Sequence, residues 1–146
     1  MIREARLDDF DRLMELYAQL HPNDSVVMDG SDRRVYNEII ATHNLHLFVL
    51  EDDDGTVNAT CYLNLIPNIT RQVSPYGIIE NVVTEANLRN TGLGKKIIKY
   101  ALAFAWERGC YKVMLQTGSR RESTHNFYKS CGFSADDKFA FVARPR

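Results

Sequence analysis

The segment from Arg89 to Lys96 combines glycines and cations at a spacing that can bind phosphate. It follows a predicted strand and opens a predicted helix, so successive backbone N–H groups lie at the positive end of a helix dipole. Glycine lets a ligand approach such a backbone closely. The segment is neither a Walker loop nor a G-x-G-x-x-G dinucleotide fingerprint, because Ile97 occupies the third glycine position. The alternative is a glycine-rich helix start with a solvated basic face at Lys95, Lys96 and Lys99.

Alternating strands and helices are predicted to position this segment. The predicted strands are 2–7, 45–51, 56–66, 76–84, 111–117 and 139–143, and the predicted helices begin at an Asp8 cap, at Ser31 or Asp32, at 94 and at 123. In strand 76–84, alternation places Ile78, Glu80, Val82 and Thr84 on one face. Asp54-Gly55 predicts a hairpin, and the helix 94–108 predicts a parallel crossover between its flanking strands. We therefore expect an α/β fold with a mixed, mostly antiparallel central sheet flanked by helices.

Composition limits the class of protein. The 146 residues include 18 Lys+Arg and 19 Asp+Glu, with 45% apolar residues, which predicts one globular domain over residues 1–146. No apolar run is long enough for a membrane span or a signal peptide, so we expect a cytoplasmic protein without a membrane partner. Three cysteines without a C-x-x-C pair, scattered histidines and a pI near 6.4 favour reduced thiols, no metal site and no nucleic-acid partner.

Charge is distributed unevenly along the chain. Residues 1–60 carry 13 acids and 5 bases, whereas residues 61–146 carry 6 acids and 13 bases. Either the two halves attract each other within one fold, or the second half holds an anionic ligand.

Three segments, in order, resemble the GNAT superfamily of acyl-CoA-dependent N-acyltransferases. Arg89, Gly92 and Gly94 match the family's pyrophosphate loop, Arg/Gln-x-x-Gly-x-Gly/Ala. Strand 79–84 stands where the family has its cofactor strand, and 126–133 matches the later F-Y-x-x-x-G-F signature. The opening Ile-Arg-Glu-Ala also fits, so the likeness covers nearly the whole chain. The resemblance implies a GNAT fold and acetyl-CoA as co-substrate, with no metal.

The resemblance also implies a cofactor site. It places the pantetheine arm and acetyl group along the backbone of Val82 and Thr84, with Val83 between them. The pyrophosphate would lie on the loop residues Arg89, Asn90, Thr91, Gly92, Leu93, Gly94 and Lys95. Asn90 replaces a frequent glycine of the family, and we expect the turn to persist because Asn tolerates left-handed backbone angles.

Two residues are the expected catalytic groups of a direct attack in a ternary complex. Tyr128 stands where the family has the hydroxyl that protonates the departing CoA thiolate, and a core aromatic is its alternative role. Glu80 is the candidate general base, since a thioester is attacked by a neutral amine, and burial beside Ile78 and Val82 would strengthen the base. A structural role for Glu80, or deprotonation by water alone, is the alternative.

The acceptor is expected to be a primary amine of a small molecule. Asp24, Asp29 and Asp32 lie in the segment that commonly shapes the acceptor site in this family, and Asn81 on the cofactor strand is a further candidate. The acids favour a cationic amine, whereas strand 79–84 and segment 109–112 resemble small glucosamine-phosphate acetyltransferases. Alternatives are a non-catalytic acyl-CoA sensor and a peptide N-terminal acetyltransferase. A homodimer is the expected assembly.

Overall fold

The computed structural model describes residues 1–146, which divide into two compact units, Met1–Leu115 and Gln116–Arg146. The first unit contains five strands and four helices. These are β1 (Ile2–Glu4), α1 (Phe10–Leu20), α2 (Ser31–Ala41), β2 (Leu45–Glu51), β3 (Val57–Ile66), the single turn α3 (Thr70–Val73), β4 (Tyr76–Thr84), α4 (Leu93–Glu107) and β5 (Val113–Leu115). The second unit contains α5 (Glu122–Ser130). No helix combines the length and the apolar character that crossing a bilayer requires.

The strands form one mixed sheet in the order β1-β2-β3-β4-β5. The first three pairings are antiparallel, and β4 pairs with β5 in parallel after the α4 crossover. The hairpin between β2 and β3 turns at Gly55, whose φ is +81° and whose N–H donates to the Asp52 carbonyl at 3.1 Å. The predicted fold class, hairpin and parallel crossover are therefore confirmed.

Helices pack on both faces of the sheet, because the strands alternate apolar side chains. On one face, Leu13 and Leu16 of α1 form a core with Leu47 and Val83. On the other face, Phe48 contacts the α4 rings of Tyr100 and Phe104, with centroids 5.1 and 4.9 Å apart. Ile97 and Ile98 of α4 are fully buried. The sheet is thus a rigid platform between α1/α2 and α4.

A β-bulge interrupts β4 at Asn81. The register with β3 shifts between Thr60 and Tyr62, so one residue of β3 faces two residues of β4. Asn81 has φ +52°, which asparagine tolerates better than most residues. The prediction of unbroken alternation along 76–84 was wrong, because Tyr62 pairs with Glu80 but Thr60 pairs with Val83. The inserted residue changes which face the following side chains occupy.

Several predicted boundaries also differ from the structure. Asp8 does not cap α1; Leu7–Asp9 forms a 3-10 turn first, and the Asp9 carboxylate accepts the Arg6 N–H at 2.7 Å. Gly30, with φ +78°, precedes α2 in place of a Ser31 or Asp32 cap. The predicted strand 139–143 is absent, and its Phe139 ring is 92% exposed. An alternating segment becomes a strand only when its backbone is paired, and the sheet consists of β1 to β5 alone.

Candidate active site

The parallel strands β4 and β5 share only a short ladder. Gly77, Ile78 and Ile79 pair with the three residues of β5. Because β4 continues for five residues beyond Ile79, no strand of the sheet lies beside 80–84 on that side. Backbone groups along this edge can pair with an extended ligand, as a strand would. Along this edge Val83 is buried, whereas Val82 and Thr84 are partly exposed.

The glycine-rich loop follows this open edge and leads into α4. Asn90 and Gly92 have φ values of +62° and +91°, which confirms the expected left-handed turn at Asn90. The α4 helix starts at Leu93, and the Gly92 carbonyl accepts the Lys96 N–H at 3.0 Å. The N–H groups of its first turn therefore have no intrahelical acceptor. With Arg89 exposed and Lys95 partly exposed, the loop offers amides and cations to an anion.

The loop is anchored to α1 by a group of polar side chains that the sequence did not reveal. Glu85, directly after β4, accepts hydrogen bonds from Arg12 Nη2 at 2.6 Å and from Gln19 Nε2 at 3.0 Å. Gln19 Oε1 in turn accepts the Ala86 N–H at 2.9 Å. The Arg12 hydrogen bond is the main cause that lowers the pKa of Glu85. These contacts fix the chain between the open edge and the loop.

A cavity of about 320 Å³ lies on the α1/α2 face of the sheet. Two of the four predicted acceptor residues, Asp32 and Asn81, line it. Asp24 and Asp29 do not, and both are exposed in the loop between α1 and α2. The Asp29 carboxylate instead accepts the Ser31 N–H at 2.9 Å, and hydrogen bonds with Ser31 lower the Asp29 pKa. The structure therefore brings together the strand residue and only one of the three loop acids.

Glu80 lies at the edge of the same cavity. It is the cross-strand partner of Tyr62 and the chain neighbour of Asn81, and both of those residues line the cavity. The Glu80 side chain is exposed, so the prediction of burial beside Ile78 and Val82 was wrong. Glu80 shares the cavity face with Tyr62, where open space lies over the sheet in place of a packed helix. A carboxylate at this position remains in reach of water and of a group entering the cavity.

Tyr128 belongs to the second unit, on α5. Its ring is partly buried and packs edge-on against Phe127 and Phe133, with centroids 5.1 and 6.4 Å apart. The Phe133 N–H donates to the Tyr128 carbonyl at 3.2 Å and closes the end of the helix. The F-Y-x-x-x-G-F segment thus brings three aromatic rings together at the end of α5.

The aromatic wall of the cavity was not predicted from the sequence. Tyr36 and Tyr62 contribute to it, together with Phe10 and Tyr17 of α1. The sequence signal for this wall was Tyr62 in β3. Because its neighbours Cys61 and Leu63 are apolar and lie on one face of the strand, the Tyr62 ring must lie on the other face. A second signal was Asn81, since asparagine inside an apolar strand indicates a bulge.

Comparisons with known proteins agree with this geometry. The model of the acetyltransferase (GNAT) family matches residues 10–133. Glucosamine 6-phosphate N-acetyltransferase of Arabidopsis thaliana is 30% identical over 136 residues, covering 91% of this chain and 89% of that protein. A solved putative acetyltransferase from Agrobacterium tumefaciens str. C58 is 37% identical, with a TM-score of 0.93 over 99% of both chains. The crystal structure of the Arabidopsis thaliana enzyme superposes with a TM-score of 0.83 at 28% identity, over 99% of this chain and 97% of that chain. The chain therefore belongs to the acetyltransferase (GNAT) family and is an acyl-CoA-dependent N-acetyltransferase.

Proposed function

We propose that the protein transfers an acetyl group from acetyl-CoA to the primary amine of a small molecule. The observation that carries this proposal is the unpaired edge 80–84 of β4, which ends directly before the glycine-rich start of α4. An extended chain with an anionic end fits these two features together, because the edge supplies backbone partners and the helix start supplies amides. Acetyl-CoA has this chemistry, with an amide-containing arm and a pyrophosphate.

The residues at the loop fit a pyrophosphate. A Cβ at Gly92 would meet no atom within 4 Å, so the space beside this backbone is open to a ligand. Arg89 Nε donates to the Thr84 carbonyl at 3.3 Å, which ties the loop to the end of the open edge. In the proposed complex, Val82, Val83 and Thr84 hold the pantetheine arm. The pyrophosphate is held by Arg89, Asn90, Thr91, Gly92, Leu93, Gly94 and Lys95.

The proposed chemistry uses three groups of this chain. When bound, acetyl-CoA supplies an acetyl thioester as acyl donor. The Val82 N–H donates to the acyl carbonyl, and the Glu80 carboxylate accepts a proton from the acceptor ammonium, directly or through water. As the amine nitrogen bonds to the acyl carbon and the carbon–sulfur bond breaks, Tyr128 Oη gives its proton to the leaving sulfur and regains one from the amine nitrogen. A phenol suits this step because it is still protonated at neutral pH.

We propose Asp32 and Asn81 as the residues that contact the acceptor. Because one relative is a glucosamine 6-phosphate N-acetyltransferase, an amino sugar is a candidate acceptor beside a cationic amine. A module that binds acyl-CoA without turnover and a peptide N-terminal acetyltransferase are the other candidate functions. The cavity of about 320 Å³ favours a small molecule over a peptide chain.

Two measurements test the proposal. Acetyl-CoA is expected to raise the melting temperature, and an added amine is expected to release CoA thiol; an acyl-CoA sensor would give only the first result. Glu80→Gln and Tyr128→Phe are expected to lower kcat by about 100-fold, as for a lost acid or base. Glu107→Gln and Tyr111→Phe, at exposed positions outside the site, are the matched controls. An unchanged pH–rate profile in Glu80→Gln, or unchanged turnover in Tyr128→Phe, would remove that residue from its role.

A further inference from the structure

The acceptor cavity is built mainly from apolar surface. Aromatic rings come from Phe10 and Tyr17 of α1, Tyr36 of α2 and Tyr62 of β3, and further aliphatic side chains complete the wall. Asp32 carries the only formal charge among the lining residues. A volume of about 320 Å³ holds a body on the order of ten non-hydrogen atoms, taking about 30 Å³ for each.

Two tyrosines of the wall turn their hydroxyls toward the protein interior. Tyr36 Oη donates to the Arg6 carbonyl at 2.6 Å. Burial is the main cause that raises the pKa of Tyr17 to about 12. These two residues therefore offer mainly ring surface to a ligand. A sugar, whose surface is mostly hydroxyl, would find polar partners at Ser31, Asp32, Tyr62 and Asn81 and would leave its other hydroxyls against apolar surface.

Apolar side chains also stand beside the cavity in the loop between α1 and α2. Val27 lines the cavity, and its neighbours Val26 and Met28 are 81% and 89% exposed. Exposed large apolar residues next to an apolar cavity extend the surface that an apolar ligand can cover.

The charges near the cavity are carboxylates. Asp32 lines it, and the Glu38 charge, after burial, contributes to the raised pKa of Tyr62, so Glu38 lies near this ring. Glu80 is the cross-strand partner of the same Tyr62. The nearby cation, Arg33, is not a lining residue: its guanidinium stacks on the Phe10 ring at 4.2 Å, and Nη2 lies 3.4 Å from Asp11. A phosphate in the cavity would therefore meet the Asp32 carboxylate and no cation among the lining residues.

We infer that the acceptor is a cationic primary amine on an aromatic or branched aliphatic body, without phosphate or carboxylate. The inference rests on the proposed function and narrows its acceptor. The apolar body packs against the aromatic rings, and the ammonium pairs with Asp32, the charged lining residue. The inferred acceptor therefore differs from glucosamine 6-phosphate, the acceptor named for the Arabidopsis thaliana relative.

Matched acceptors test the inference through CoA thiol release. 2-Phenylethylamine and phenylalanine differ by one carboxylate, and glucosamine and glucosamine 6-phosphate differ by one phosphate. We expect kcat/KM for 2-phenylethylamine to exceed the values for phenylalanine and glucosamine 6-phosphate by at least tenfold. Higher kcat/KM for glucosamine 6-phosphate would overturn the inference and leave the proposed acetyl transfer intact. In that case Arg33→Ala would also raise the KM of the sugar phosphate.

A variant pair tests the role of the cavity charge. Asp32→Asn is expected to raise the KM for 2-phenylethylamine about fivefold at low salt, the size expected for one partly exposed ion pair. Asp53→Asn at the exposed hairpin tip removes the same charge outside the site and is expected to change nothing. An unchanged KM in Asp32→Asn would overturn the assignment.

Calorimetric binding of 2-phenylethylamine in the presence of CoA separates the two proposals, because it requires no turnover. If Asp32→Asn weakens the binding of 2-phenylethylamine, the cavity assignment is supported even when no thiol is released. Absence of thiol release with every amine would then refute only the proposed acetyl transfer. If 2-phenylethylamine does not bind while glucosamine 6-phosphate does, the inference fails.

Discussion

Gly92→Ala isolates the contribution of the left-handed turn to acetyl-CoA binding. Gly92 has φ +91° and lies directly before α4, and an added Cβ would meet no atom within 4 Å. The cost is therefore conformational and not steric, about 1–2 kcal/mol for a residue with a side chain. Because residues 89–92 are exposed, the variant loop can relax to another conformation when it is empty. Restoring the binding conformation then reduces the apparent affinity about 5- to 30-fold.

Two other glycines provide the controls. Gly109 has φ +78° and the same open surroundings, but it follows the opposite end of α4. Gly118 is also open and carries no positive φ. We expect Gly109→Ala to lower the melting temperature by about 3–4 °C per kcal/mol while acetyl-CoA binding stays unchanged, whereas Gly92→Ala should mainly lower the affinity. Gly118→Ala should change neither quantity.

Isothermal titration with acetyl-CoA and thermal unfolding without ligand measure the two effects separately. The reasoning is refuted if Gly92→Ala binds acetyl-CoA as tightly as the parent protein, since the turn would then be irrelevant to the ligand. Equal loss of affinity in Gly109→Ala would refute it as well, because the effect would come from the stability of α4 and not from the loop.

Four further substitutions, at three positions, test contacts in and around the site. The hydrogen bond from Arg3 is the main cause that lowers the pKa of Asp9 in the folded protein. The Asp9 carboxylate therefore stabilises the fold fully above its unfolded pKa near 3.9, and this stabilisation is lost as the pH falls through the lower folded pKa. Asp9→Asn should accordingly flatten a plot of melting temperature against pH between about 5 and 2. Arg12→Ala removes the donor to Glu85 and should lower the free energy of unfolding by about 1–2 kcal/mol in urea titrations, with a rise in the KM for acetyl-CoA. Asn81→Val disfavours the positive φ of the bulge and should raise the KM of both substrates in steady-state assays, whereas Asn81→Gly keeps the bulge and should affect only the amine.

Much of the fold followed from local sequence patterns. β2 and β4 lie at the predicted positions, and α4 differs by one residue at each end, because these elements have strong periodicity and clear turn residues at their ends. The strand 139–143 was predicted by the same periodicity and is absent. Periodicity describes the side chains of a strand, whereas its existence depends on a backbone partner that no local pattern specifies.

The site was less predictable than the fold, for a related physical reason. The loop 89–95 could be recognised because its residues are contiguous and each acts through its own backbone. The proposed acceptor cavity combines Asp32, Tyr62 and Asn81 from three separate elements, and only tertiary structure brings them together. Glu80 shows the same limit, since its exposure depends on the open cavity over β4 and not on its apolar neighbours in the chain.

The uneven charge distribution along the chain corresponds to two regions that meet at the bulged strand β4. Acids near the cavity come from the first part of the chain, with Asp32 and Glu38 on α2, whereas the cations of the loop come from the second part. β4 serves both regions: Asn81 lines the cavity on the α1/α2 face, and the backbone after it forms the open edge that leads to Arg89. In an unbroken strand Glu80 and Val83 would face opposite sides of the sheet, whereas the bulge places Glu80 opposite Tyr62 and Val83 opposite Thr60, both on the α1/α2 face. In the proposed complex the anionic donor lies along the edge after the bulge, a cationic acceptor enters the cavity beside Glu80, and their reacting atoms meet between Glu80 and Val82.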